Sequence, residues 1–535
     1  MSALPIVLIS LLAFAVGYIF YASKFERLFE VDANRPTPAH TLRDGIDYVP
    51  AKNWLILFGH HFASIAGAGP IIGPVIAVIL WGWLPALIWI VFGTIFIGGV
   101  HDFCALMISV RHKGKSIADI SQEIISKRAR IIFSSFVLLA LILVVAVFIH
   151  LCAKTFVEEP KIVLPSLGLI PVAMVAGFLI YARKINIALV TLFGLISLLC
   201  LILLGQVMPI NAGANPMLVW SLVLIVYCFF ASILPVNILL QPRDYFSSYL
   251  LFFTLGLGYL GIIFSRPIIN QPPVVALSSN EGFVWPMLFV TVACGAISGF
   301  HALIASGTSS KQISSELDAK KIGYGAMVAE GLVALLAVIC VLAISAFDKN
   351  IDLLAVLKSS SPVGVFGKGF GIISQGIIGR FGSFIAIITL NAFILTTLDT
   401  AVRISRYIFE EITLVKNKFI STSIMLLAAS FLALSGKWNR IWPAFGASNQ
   451  LVAALTLLVI SSWLLSKGKK VIYTLIPAAI MLLTTIAALV VGSINYFNSH
   501  DFLLLIISVI LVGLALILSW DAFRLMDSLR RVKNA

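Results

Sequence analysis

The sequence predicts an all-α polytopic membrane protein of about fifteen transmembrane helices. Three observations carry that prediction. The chain is 60% hydrophobic and only 11% charged, with a mean hydropathy of +1.07, whereas soluble domains hold roughly 25% charged residues. Apolar runs of about 17–25 residues, the length that crosses a bilayer, recur from one end to the other. The charges fall between those runs and favour alternate loops.

The runs lie near 4–22, 54–80, 84–110, 131–152, 164–182, 186–206, 217–239, 247–264, 284–306, 322–347, 376–402, 419–435, 441–465, 471–492 and 502–520. The first has no basic leader and no small-residue cleavage site, so it reads as a retained span. Loop 23–53 holds five Lys/Arg and loop 111–130 holds six. Placing both in the cytoplasm fixes every later loop and puts 28 Lys/Arg inside against 9 outside. Cationic loops are retained on the cytoplasmic side. The N-terminus is therefore expected outside and the C-terminus in the cytoplasm. The net charge of +14 reports this topology and not a nucleic-acid partner. Between spans, residues 115–127 place Ile117, Ile120 and Ile124 at helical spacing, which predicts a cytoplasmic amphipathic helix. Residues 348–375, with Ser359-Ser360-Ser361-Pro362 and several glycines, read as a long outer connection, either an ordinary loop or a short helix or gate.

One run breaks the pattern. Gly59-His60-His61-Phe62-Ala63-Ser64-Ile65-Ala66-Gly67-Ala68-Gly69-Pro70-Ile71-Ile72-Gly73-Pro74 carries two histidines, glycines and two prolines inside an apolar segment. Prolines remove backbone donors and glycines loosen a helix. Backbone freed in this way is tolerated at membrane depth only where it is buried in protein or lines a polar cavity. The stretch is expected to be a broken helix that builds a site. A counterpart lies 239 residues on, where Ala302, Ile304 and Ala305 match Ala63, Ile65 and Ala66, and small residues follow both. The two motifs sit seven spans apart and so cross in opposite directions. Paired, oppositely directed broken helices mark inverted repeats with a midplane site, which predicts a LeuT-like fold with two spans beyond five per repeat. The whole chain, 1–535, then forms a single transmembrane transporter domain. It divides into an extra first span (4–22), a first repeat with extra spans (54–283), a second repeat (284–465) and a C-terminal helix pair (471–520).

Helix N-termini exposed at Ala66, Gly67, Ala68 and Gly69 and at Ser306, Gly307 and Thr308 would offer amides and positive dipole ends to a substrate carboxylate. Ionisable residues inside spans are costly and are functional candidates by default. Here they are His60, His61, His101, Asp102, His301, Glu330 and Asp399. Thr396, Thr397 and Thr400 could coordinate Na⁺, and Asp399 could take a proton. Asn449 and Gln450 are polar residues in a span, able to bond neighbouring helices. His60 and His61 lie about two turns from the glycines, which suits coupling or gating better than direct binding. Structural roles compete with these. A buried histidine can cap a carbonyl, and Asp102 and Asp399 could pair with Arg111, Arg403 or Arg406 as interfacial anchors. Histidine and carboxylate can exchange protons near neutral pH, which tilts the coupling ion towards H⁺ without excluding Na⁺. Six cysteines form no CxxC pair, and no phosphate-binding loop is present. A secondary transporter is expected, with no enzyme activity, cofactor or metal. The rivals are an intramembrane metal enzyme using His60, His61, His101 and Asp102, and a channel.

The stretch 59–74 resembles the carbon starvation protein (CstA) family. So do Gly99-Val100-His101-Asp102-Phe103, Leu240-Gln241-Pro242-Arg243-Asp244-Tyr245, Leu395-Thr396-Thr397-Leu398-Asp399-Thr400-Ala401-Val402-Arg403 and Trp442-Pro443-Ala444-Phe445-Gly446-Ala447-Ser448-Asn449-Gln450-Leu451. The resemblance implies a bacterial inner-membrane transporter of the APC superfamily, linked to nutrient limitation. It implies pyruvate or a short peptide as the substrate, with proton symport in the pyruvate case. The better-known members are longer, so this chain looks like a compact one.

Overall fold

A helix satisfies its own backbone hydrogen bonds, which lipid cannot do, and helices make up nearly all of the regular structure. The computed structural model describes residues 2–534 apart from positions 46, 52, 182, 236, 237, 348–350 and 414. The helices are α1 (Leu4–Leu28), α2 (Trp54–Ile65), α3 (Gly69–Trp81), α4 (Trp83–Arg111), α5 (Ile117–Ile124), α6 (Lys127–Glu158), α7 (Val163–Tyr181), α8 (Ile187–Val207), α9 (Pro216–Ile233) and α10 (Leu240–Ser265). After a two-stranded hairpin (Ser278–Ser279 with Gly282–Phe283) come α11 (Phe289–Thr291), α12 (Phe300–Gly307), α13 (Gly325–Phe347), α14 (Leu353–Ile378), α15 (Gly382–Ile412), α16 (Lys418–Ala433), α17 (Trp438–Ser466), α18 (Ile472–Asn498) and α19 (Phe502–Asn534).

Among the described residues, twelve stretches are long and apolar enough to cross a membrane, or thirteen if α2 and α3 are one bent span. The chain is a multi-pass membrane protein. The number differs from the expected fifteen at two places. The run 419–435 forms a helix of only 16 residues, and the run 284–306 is interrupted.

The connection expected at 348–375 is largely helix α14; its first three residues lie outside the described residues. Ser361 has φ 56° and breaks the helix just before Pro362. The glycines that suggested a loop serve close packing instead. A β-carbon at Gly369 would collide with the backbone carbonyl of Cys340 on α13. Small residues let membrane helices approach this closely.

The amphipathic helix at 115–127 is present as α5, with Ile117 and Ile120 buried and Ser116 accepting from the Asp119 amide at 3.2 Å. The long helices α6 and α15 pack along each other at the centre. The pair α7–α8 packs against α10, where Phe246 closes a small separate core of Leu169, Ala176, Val190 and Leu198.

Candidate functional site

Two interruptions meet at the centre of the bundle. In the first, α2 ends at Ile65 and Ala66 leaves the helical region at φ −74°, ψ 86°. The chain restarts at Gly69, with Pro70 in the first turn, where a missing N–H costs nothing. The two halves are bent by 49°. Ala66, Gly67, Ala68 and Gly69 are all buried here.

In the second interruption, α11 ends at Thr291, Val292 turns to φ −94°, ψ 45°, and helix resumes only at Phe300. This corrects the expected break at 306–308. Ser306 and Gly307 form the last turn of α12 and Thr308 is its C-cap. The hydroxyls of Ser306 and Thr308 donate back to the carbonyls of Ala302 (2.7 Å) and Ile304 (2.9 Å). They therefore finish a helix and do not open one.

The breaks cross in contact. A β-carbon at Gly69 would overlap the side chain of Cys294, and one at Gly73 would overlap the Thr291 carbonyl. Gly67 faces the Phe148 ring of α6 and, at 3.1 Å from its would-be β-carbon, the Thr397 hydroxyl of α15. Thr397 Oγ1 is buried with no hydrogen-bond partner. Thr396 Oγ1 approaches the Ala63 carbonyl at 3.3 Å, and Thr400 bonds back to the Thr396 carbonyl at 2.9 Å.

Irregular backbone at this depth needs partners, and α17 and α4 supply them. Asn449 Oδ1 accepts from the Phe300 amide at 2.9 Å, and its Nδ2 donates to Ser298 Oγ at 3.0 Å. Gln450 Nε2 donates to the Phe289 carbonyl at 2.6 Å, and Thr94 Oγ1 to the Gly295 carbonyl at 3.3 Å. Asn449 thus acts as an N-cap delivered from another helix. Asn449→Ala is expected to destabilise the protein by roughly 1–2 kcal/mol, the range of a lost cap, read as a lower melting temperature in detergent. An unchanged melt would show that the cap is dispensable.

Beside the second break lies a buried chain of titratable groups. His101 Nδ1 contacts Asp102 Oδ1 at 2.7 Å, His301 Nδ1 contacts Asp102 Oδ2 at 2.7 Å, and His301 Nε2 lies 2.9 Å from Glu330 Oε2. All four side chains are wholly buried. The chain joins α4, α12 and α13. The partner suggested for Asp102, Arg111, instead binds Glu316 at 3.0 Å. His61 bonds Ser309 Oγ at 2.7 Å, while His60 is only half-buried. No three His, Cys, Asp or Glu side chains are arranged to hold a metal among the described residues.

A second buried cluster surrounds Asp399, and its centre was missed. Arg243 of α10 contacts Asp399 and Tyr227 directly, and binds Asp244 Oδ1 at 3.1 Å. Tyr227 of α9 donates to Asp399 Oδ2 at 2.7 Å. The suggested partner Arg403 instead donates to the carbonyls of Ala231 (2.6 Å) and Leu234 (2.5 Å). The signal for Arg243 was present, because Arg243-Asp244 opens an apolar helix in which a charge must find a partner.

Relatives include the peptide transporter CstA of Campylobacter jejuni, 30% identical over 91% of this chain and 79% of its own. That of Mycobacterium tuberculosis is 32% identical over 88% and 72%, and the pyruvate/proton symporter BtsT of Escherichia coli is 29% identical over 91% and 81%. Two crystal structures of the Eremococcus coleocola manganese transporter share the fold. A mutant form has a TM-score of 0.51, covering 90% of this chain and 97% of its own; a form with a bound aromatic bis-isothiourea compound has 0.50, covering 92% and 99%. Both are 14% identical to this chain, which speaks to fold alone. The family model described as "Carbon starvation protein CstA" matches residues 2–353 and 343–488, and the chain belongs to that family.

Proposed function

We propose that this protein is a secondary transporter that imports a small carboxylated nutrient, pyruvate or a short peptide, by alternating access and proton symport. The observation that carries the reading is the crossing of two helix breaks, Gly69 against Cys294 and Gly73 against Thr291. Backbone dipoles at crossed breaks are a means of holding a carboxylate near the midplane. In this reading the substrate meets Ala66, Gly67, Ala68 and Gly69 together with 292–299. Ser306, Gly307 and Thr308 lie one helix further on. The names of the relatives favour a peptide or pyruvate as the substrate.

A LeuT-like inverted repeat gains support from element order. Each half runs from a broken helix to a helix with a π-helical turn (Thr94–Gly98; Lys320–Tyr324), and then to a long helix, α6 or α15. On this reading the repeats span 54–283 and 284–465, and α7–α8 are the two added spans. Fifteen crossings then require α16 and the interrupted element 284–307 to cross and α14 to stay on the outer side. The N-terminus lies outside a bacterial inner membrane and the C-terminus in the cytoplasm, in a cell responding to carbon limitation.

A second coupling reading, Na⁺, is favoured by one detail. Thr396 Oγ1 and the Ala63 carbonyl approach each other beside the unpartnered Thr397 hydroxyl. Purified protein in liposomes decides between them. Labelled pyruvate or dipeptide is expected to accumulate when the outside is acidified and not when only a Na⁺ gradient is imposed. Accumulation driven by Na⁺ alone would reverse the assignment, and equilibration with no gradient dependence would favour a channel.

A further inference from the structure

His301 stands just inside α12, immediately after the second break, and both ring nitrogens face carboxylates. Nδ1 is hydrogen-bonded to Asp102 Oδ2 at 2.7 Å, and Nε2 lies 2.9 Å from Glu330 Oε2 in a charge contact that is not aligned as a hydrogen bond. A neutral imidazole has one N–H and one bare lone pair. With both carboxylates ionised, one of these contacts would set lone pair against lone pair. Both contacts are satisfied only when the trio holds one further proton, on His301 as imidazolium or on a carboxyl. Asp102 Oδ1 also meets His101 Nδ1 at 2.7 Å, and with His101 as its Nδ1–H tautomer Asp102 accepts on both sides. The extra proton therefore resides between His301 and Glu330.

We propose that this proton is the transported one and that it latches α12 to α4 and α13. The inference rests on the proton-symport reading above and assigns its site. With the proton present, His301 binds Asp102 of α4 and Glu330 of α13 at once. Once it leaves, two buried carboxylates face one neutral ring. The unpaired contact then costs what any buried unsatisfied charge costs, and α12 is driven from its seat. Because α12 begins at the break, its displacement lets the emptied carrier return, a step that the loaded, protonated carrier does not need in order to exchange. The other titratable groups facing the trio are His61 of α2, with His60 beside it, and Cys294 in the break. α3 contains no titratable side chain, and the charge on α17, Arg440, is engaged with Asp501.

The test uses E330Q and D102N in liposomes, beside the wild type, with labelled pyruvate and a labelled dipeptide as probes. Two modes are read: exchange of labelled for unlabelled substrate at equal pH, and uphill accumulation under an acid-outside gradient. E330Q keeps the shape of the site, and its amide can donate to a neutral His301. It is expected to retain exchange, to lose accumulation, and to flatten the pH profile of uptake. A wild type that accumulates alongside an E330Q that accumulates equally would overturn the latch and leave proton symport standing. Loss of exchange in both variants would also overturn it, since exchange needs no net proton movement. A wild type indifferent to the pH gradient would overturn the proton-symport reading itself.

Discussion

Gly69→Ala should abolish uptake while leaving the protein inserted in the membrane. The added β-carbon falls on the Cβ and Sγ of Cys294, where the two helix breaks cross. Overpacking in a tight core typically costs about 1–3 kcal/mol, which a bundle of this size can survive. The crossing itself has no slack, because Gly73 one turn on is pressed against the Thr291 carbonyl and the Cα of Val292. The breaks must therefore separate, and any site they form is lost. The obstructing atoms all belong to one side chain, so C294G should relieve the clash; the next atom, the Cys294 Cα, is 3.7 Å away. The double variant G69A/C294G is expected to recover transport that neither a steeper gradient nor more substrate restores in G69A. Gly73→Ala should not be rescued in this way, because its neighbours are backbone atoms. Liposome uptake of labelled pyruvate and dipeptide, with membrane insertion checked by fractionation, reads all of these. Wild-type uptake by G69A would refute the crossed-break site, and an unrescued double variant would place the obstruction elsewhere.

The same residues show what could be read from sequence. Ala66–Gly69 announced its break because glycine and proline fell inside a run that lipid would keep helical. The second break has no proline between Val292 and Gly299. Its interruption is held from outside by Asn449, Gln450 and Thr94, and a single chain segment cannot display partners that come from other helices. Matching Ala63-Ser64-Ile65-Ala66 to 302–305 therefore chose the end of a helix over its start. Glycine misled at α14 for a related reason. Gly369 meets the Cys340 carbonyl across a helix contact, and composition does not distinguish a glycine that turns from one that packs. The buried charges were legible one at a time, as Asp102, His301, Glu330 and Asp399. Their pairing was not, since Asp102 and His301 are 199 residues apart and Arg243 and Asp399 are 156 apart. Local sequence offered Arg111 and Arg403 as partners, and the packing of α10 against α15 brought Arg243 instead.

R243M should be the most destabilising single change in the chain. Arg243 is 2% exposed and lies against Asp399, Asp244 and the Tyr227 hydroxyl. Removing one partner of a buried ion pair costs about 3–5 kcal/mol, because the charge left behind has neither water nor counter-ion. Here two carboxylates are left behind. Methionine fills much the same volume, so the loss measures charge and not a cavity. D399N should be milder. Tyr227 can still donate to the amide oxygen, and Arg243 keeps Asp244. Adding D399N to R243M should recover part of the stability, and adding D244N should recover more, an ordering that contacting residues with coupled energies require. The fraction surviving heating in detergent, read by size exclusion, gives the series. If R243M melts with the wild type, the two aspartates are not both ionised and the cluster is no ion pair. If the ordering holds, D399N becomes the informative variant for transport. It leaves the bundle intact while removing a carboxylate two residues from Thr397, the hydroxyl that faces Gly67 at the first break. Accumulation by D399N at wild-type levels would assign Asp399 to structure alone, and leave the Asp102–His301–Glu330 chain as the site through which the gradient acts.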